Sequence, residues 1–195
     1  EALVVRTDAL GPEARRVLEL VCVAGGPVVQ EACAHALGTS FADLADRIAH
    51  LRASNLVKTQ GIRRTDVVEP YHDRVREALV ATIAAPERRE MHARLARALE
   101  QSGSADPEAL ALHFREGGDA RKAARYATRA AERAQTAFAF DRAAQLYRQA
   151  LELDPGPPAQ ELRLRARLGE ALGHAGRSRE AAEVFLAATT GASPE

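Results

Sequence analysis

A small–aromatic–small stripe that occurs twice near the C-terminus constrains this chain more than any other feature of it. Ala143, Tyr147 and Ala150 lie in FDRAAQLYRQALELDP, with Pro155 behind them. Ala181, Phe185 and Ala188 repeat the spacing in REAAEVFLAAT. Offsets of four and three put the three residues of each set on one helical face. There the alanines let a neighbouring helix come close and the ring fills the remaining gap. Leu168, Gly169 and Leu172 precede the second copy at positions that suit the facing helix. A chain patterned this way folds as paired helices that stack on one another.

Upstream, the pattern changes character. PEARRVLELVCVAG places Ala14, Val17, Leu18 and Val21 on one face of a helix from Gly11 to about Val23, with Pro12 suited to its first turn and Gly25-Gly26-Pro27 ending it. The sequence predicts a short helix from about Val28 to Leu37, closed by Gly38. Thr39-Ser40 then caps a third, in which Leu44, Ile48 and Leu51 keep the helical period to about Ser54. Leu56-Val57 and Val67-Val68 flank Gly61 and a polar turn, and read as a two-stranded ribbon. Three helices followed by a ribbon is the order of a winged helix. Everything beyond reads as helix: His72 to Ile83, a second opened by Pro86, and a third in DPEALALHFREGG after the break at Ser102-Gly103-Ser104. A long helix capped by Asp119 follows. Its stripe of Ala123, Ala127 and Ala130 stands too close before the Ala143 stripe for two independent helices between them, so this helix is read as closing one repeat and opening the next. Pro155-Gly156-Pro157-Pro158 is the clearest linker.

Composition agrees with helices and narrows the partners. The chain has 195 residues, 46% hydrophobic and only 4% aromatic, so its core must come from Ala, Leu and Val. The formal net charge is +0, which argues against a general binder of nucleic acid or of anionic membranes. No apolar run reaches membrane-spanning length, and EALVVRTDAL lacks the parts of a signal peptide. A cytoplasmic location is the expectation, and a start at Glu1 reads as a piece excised from something longer. Cys22 and Cys33 stand alone, without a CxxC or a His pair at ligand spacing, so they read as buried reduced thiols and no metal is expected.

The repeated stripe and the Leu168-Gly169-Leu172 set resemble the tetratricopeptide repeat. A wider resemblance covers about Gly11 to Ala188. EPYHDRVREALVATIAAPERREMHARLARALE followed by DPEALALHFREGGDARKAARYATRAAERA is similar to the region downstream of the nucleotide-binding module in bacterial STAND-class regulatory ATPases, of the kind fused to protein kinases, cyclases or LuxR-type regulators. Its marker is His72-Asp73 with Val75, Arg76, Glu77 and Ala78 behind. In that family the His of such a pair, the MHD element, points at the β-phosphate of bound ADP; here Tyr71 stands where Met is usual. The resemblance implies a mainly α protein, a winged helix over 1–70 followed by a tetratricopeptide-like superhelix over 71–195. It implies a non-catalytic regulatory segment of a signalling ATPase, with ATP or ADP held by the intact parent. His72 becomes the candidate phosphate sensor. The fragment itself has no Gly-x4-Gly-Lys-Ser/Thr loop, since neither Lys58 nor Lys122 has that setting, and no cofactor is expected in it.

If the repeats are aligned in this way, their inner groove is lined by Arg125, Thr128, Glu132 and Gln135 on the long helix and by Arg163, Glu170 and His174 on the last repeat. Mixed charge with few apolar anchors suits a polar peptide or another domain of the same chain. More repeats are expected beyond Glu195. The rival function is a winged-helix DNA-binding transcriptional regulator. FADLADRIAHLRAS would be its reader, with Arg47, His50 and Arg52 as contacts and Arg63-Arg64 on the wing. Asp43 and Asp46 would repel phosphates from that helix. Catalysis is not expected: the six histidines are scattered, with no HExxH, no Gly-x-Ser-x-Gly and no carboxylate pair apart from surface charge.

Overall fold

The computed structural model describes residues 10–103 and 105–190, with side chains described through Ala188. Residues 1–9, read above for a signal peptide, Ser104 in the predicted break, and 191–195 lie outside the described residues. The fold is mainly helical with one small antiparallel sheet. In chain order it comprises α1 (Pro12–Ala24), β1 (Val28–Val29), α2 (Gln30–Leu37), α3 (Phe41–Ala53), β2 (Val57–Thr59), β3 (Val67–Pro70), α4 (Asp73–Thr82) and α5 (Ala85–Ser102). It continues with α6 (Pro107–Gly117), α7 (Ala120–Thr136), α8 (Phe140–Leu153), α9 (Pro158–His174) and α10 (Ser178–Thr190). The chain forms two compact units that part between Ser104 and Ala105.

The first unit is built around α1. Val17, Leu18, Val21 and Cys22 are fully buried, and α1 packs against α2, α3, α4, α5 and β3. Pro12 sits in its first turn and Gly25, at φ 76, ends it in the left-handed conformation that costs glycine least. The ribbon expected from the sequence is part of a three-stranded sheet of order β1-β3-β2. Val28 and Val29, expected in a helix, instead pair with Val68 and Val67. Pro27 starts this stretch in an extended conformation, and two β-branched residues brought beside the edge of β3 gain more from the ladder than from a helical turn. The helix begins just after them, at Gln30. The Gln30 side chain, 1% exposed, donates to the Gly61 carbonyl oxygen at 3.1 Å, and its backbone N–H donates to the Asp66 carbonyl at 3.0 Å. These bonds tie α2 to the β2–β3 turn.

Helices α4 and α5 belong to this unit. Val75 and Leu79 of α4, and Met91, Leu95 and Ala96 of α5, are buried, and α5 packs on α2 as well as on α1. The compact unit therefore runs well past the boundary at residue 70 expected from sequence and takes in both helices, parting from the second unit only after position 104. The amphipathic faces of α4 and α5 carry no label for the helix they will cover.

The second unit has a simpler plan: α6 packs on α7, α7 on α8, α8 on α9 and α9 on α10. The shift that carries position 143 onto 181 in the sequence also carries whole elements onto each other. Helix α7 runs from 120 to 136 and α9 from 158 to 174; α8 starts at 140 and α10 at 178. The sequence reads α7 as a helix shared by two repeats. In the fold it packs on both α6 and α8, with α8 a separate helix after a short turn. One core joins α7 through α10, with Ala130, Ala131, Ala143, Tyr147, Leu168 and Leu172 at its centre.

Each turn between paired helices is the same hydrogen-bonded hook. Gly118 N–H donates to Arg115 and Asp119 N–H to Phe114; Gly176 N–H donates to Gly173 and Arg177 N–H to Leu172. The α7–α8 turn repeats it, with Phe138 N–H to Gln135 and Ala139 N–H to Ala134, but a phenylalanine occupies the left-handed position at φ 58. Gly118 and Gly176 stand there at φ 89 and 77. An L side chain in this region costs about 1–2 kcal/mol. Phe138 is 80% exposed, so its ring returns little packing energy. Phe138→Gly is expected to stabilise the second unit by about 1 kcal/mol, seen as a rise in Tm of several degrees by circular dichroism. A fall in Tm would mean that the exposed ring contributes packing energy after all.

Candidate functional surfaces

The seven residues expected to line a partner groove all lie in the second unit, on α7 and α9. Positions 125, 128, 132 and 135 recur at helical spacing along α7, and 163, 170 and 174 do so along α9. Arg125 and Arg163, and Glu132 and Glu170, are equivalent under the shift that superposes α7 on α9, and all four side chains are exposed.

Their surroundings differ. Gln135 is tied down, its Oε1 accepting from the Tyr147 hydroxyl at 3.1 Å. The Tyr147 pKa is raised, first by burial of the phenol, then by the negative charge of Glu132; Glu170 raises it further and Arg167 lowers it. Glu132 and Gln135 from α7, and Arg167 and Glu170 from α9, therefore share one polar field around Tyr147. Arg167 pairs with Glu170 at 3.3 Å. Two expected groove residues point to other roles. Thr128 donates its hydroxyl to the Ala124 carbonyl at 2.9 Å, bonding back to its own helix. His174 stacks on Phe140 at 4.9 Å, which in turn meets Phe138 edge-on at 6.0 Å.

Sequence reasoning missed Arg167 and saw in Tyr147 only a space-filling ring. A tyrosine rather than phenylalanine at a fully buried position was the signal, since a buried hydroxyl needs a partner. It also missed an aromatic base under α7. Phe114 and Tyr126 are stacked at 5.5 Å and 3°. Lys122 Nζ lies 4.8 Å from the Phe114 centroid, and the guanidinium carbons of Arg125 and Arg129 lie 5.0 and 5.5 Å from that of Tyr126.

His72 lies in the first unit. It is the residue before α4, exposed, with φ −136 and ψ 137, and its side chain makes no capping bond. Its carbonyl accepts from the N–H groups of Val75 and Arg76 at 3.1 and 3.2 Å, and its ring meets Tyr71 edge-on at 4.6 Å. The imidazole is thus fixed at its root and open at its tip. Asp73 is the first residue of α4, and its carboxylate lies 3.9 Å from Arg76.

Two of the residues named for DNA reading are engaged within the protein. Arg47 donates to the Thr39 hydroxyl at 3.1 Å and pairs with Glu13 at 3.5 Å. Arg64 pairs with Glu31 at 3.4 Å and lies 4.9 Å over the Phe41 ring. His50, Arg52 and Arg63 are exposed.

Burial pushes the thiols of Cys22 and Cys33 up to about 12, so neither is a nucleophile near neutral pH. Among the described residues no group of three or more His, Cys, Asp and Glu could hold a metal ion, and no helix is long and apolar enough to cross a membrane. Comparison with protein-family models, with curated proteins and with solved structures gave no match.

Proposed function

We propose that this chain is a non-catalytic regulatory and protein-interaction segment of a larger signalling ATPase of the STAND class, working in the cytoplasm. Its first unit acts as a winged helix that docks on a nucleotide-binding core. Its second acts as a tetratricopeptide-like array that receives a partner or another domain of the same chain. The observation that carries this reading is the element order. Helix, strand, helix, helix and two strands, with the sheet ordered β1-β3-β2, lead through α4 and α5 into a pair of helices, α7 and α8, that recurs as α9 and α10.

The chemistry assigned to His72 fits its position. A ring held at the start of α4 and open to solvent can donate a hydrogen bond to a phosphate oxygen of a nucleotide presented by the docked core. Loss of that bond would favour the open state, and a partner bound to the repeats would favour it further by binding that state more tightly. ATP binding by this segment alone is expected to be weak or absent.

His72→Ala in the intact parent tests the reading. ADP should leave the variant much faster than the unchanged protein, measured as release of a fluorescent ADP analogue on dilution. Unchanged retention removes His72 from the mechanism. The DNA-binding alternative draws no support from Arg47 or Arg64, whose guanidinium groups are held by Glu13 and Glu31.

A further inference from the structure

Helix α7 differs from every other helix among the described residues in how its charge is distributed. On several other helices arginines meet carboxylates of their own helix: Arg15 pairs with Glu19, Arg94 with Glu90, Arg165 with Glu161, Arg177 with Glu180 just beside it and Arg179 with Glu183, whereas Arg142 and Arg148 of α8 pair across helices with Glu108 and Glu180. The other nine helices also place an acidic residue in the first turn, where the helix dipole favours it. Helix α7 has none there and carries Arg121 and Lys122 instead. Along its whole length Glu132 is the only acidic residue, set against Arg121, Lys122, Arg125, Arg129 and Arg133.

The arginines at 121, 125, 129 and 133 recur at every fourth position of α7, and all are exposed. Successive rungs are about 6 Å apart and the ladder about 18 Å long. Like charges at this spacing destabilise a helix, and the dipole adds to the cost at Arg121. Arg133, at the far end, pairs with Asp106 at 2.8 Å. The middle rungs are steadied by the Tyr126 ring, which lowers the entropy lost when a partner orders them. Within the helix five basic residues stand against one carboxylate, on a chain that is neutral as a whole.

We propose that this ladder is the docking surface for an acidic helix of a protein partner, whose carboxylates at every fourth residue meet guanidinium groups at every fourth residue. Rows of every fourth residue wind around each helix, so they match in register as well as sign where the two helices cross at about −50°, as i±4 ridges do. A nucleic acid fits less well. The ladder is one helix wide, and Asp106, Glu108 and Glu116 of the adjoining α6 segment, with Asp119 at the start of α7, would repel a broad phosphate surface. The proposal rests on the repeats being a partner surface and names the chemistry of the partner.

The test uses the full chain and a fluorescent helical peptide of Ala and Gln with Glu at every fourth position, followed by anisotropy at low salt. The unchanged chain should bind it, more weakly as salt is added. Arg121→Gln/Arg125→Gln/Arg129→Gln should lose at least tenfold in affinity while melting no lower. Arg94→Gln/Arg165→Gln/Arg179→Gln, which removes the same charge from other helices, should stay within twofold. A peptide of identical composition with the glutamates scrambled should bind several-fold more weakly. No binding by the unchanged chain, equal binding of the scrambled peptide, equal loss in the two triple variants, or tighter binding of a short single-stranded RNA would each overturn the proposal. None of these outcomes bears on ADP retention by the His72 variant, so this inference and the regulatory reading fail separately.

Discussion

Replacing Tyr147 by Ala is expected to cost the second unit about 3–5 kcal/mol, as emptying a buried aromatic site does elsewhere. The core around it is otherwise alanine and leucine from α7, α8, α9 and α10, and the ring, 0% exposed, fills the space that the small residues leave. Alanines bring helices close but bury little area each, so few neighbours can move in to close the hole. A loss of this size is a large part of the roughly 5–15 kcal/mol that holds a typical domain together. Thermal melting of Tyr147→Ala should therefore show the second unit unfolding at least ten degrees earlier. Tyr147→Phe keeps the ring and gives up only the bond to Gln135, worth about 0.5–1.5 kcal/mol. If the two variants melt together, the ring is not the keystone of this core.

The second large effect concerns where the first unit ends. A fragment stopping at residue 70 keeps the three helices and the sheet but loses α4 and α5. Val75, Leu79, Met91 and Leu95 are all buried, and each contributes about 1.5–3 kcal/mol on leaving water. Their removal also bares the faces of α1 and α2 on which α4 and α5 pack. The summed loss is comparable with the stability of a whole domain, so the 1–70 fragment should lack a cooperative melt while 1–103 shows one. Amide exchange and calorimetry on the two fragments would decide it. A sharp transition in the shorter one would place α4 and α5 outside the core.

How much was legible beforehand follows from the range of the forces involved. The starts and stops of α1 and α3 were readable because Pro12, Gly25 and Ser40 act through their own backbones or on the nearest turn. The Ser40 hydroxyl accepts from the Asp43 N–H at 3.1 Å as its position implies. The helix-pair period was readable because packing small residues against a ring leaves a spacing in the sequence. Strand β1 was not, since Val28 and Val29 are strand only by virtue of Val67 and Val68, which lie beyond α2, α3 and β2 in the chain. The placement of α4 and α5 was hidden for the same reason. Spacing alone put Glu132, Gln135 and Glu170 on one face of their helices. Arg167 and the Tyr147 hydroxyl needed the fold, because what brings them in is the packing of α8 against α7 and α9. The ladder on α7 was visible as letters, but its meaning came from seeing which faces are exposed and how other helices balance their arginines.

The helix-to-next-helix packing of α6 through α10 has a consequence for how the chain is made. Every strong contact in that unit joins neighbours in sequence, so no long loop must close before structure begins to be rewarded. The first unit is different: β1 cannot be completed until β3 has been added, and α2 waits for α5. On a ribosome the segment synthesised first is thus the one that must idle longest, its Val28–Val29 edge unpaired. The segment synthesised last can assemble nearly as fast as it emerges.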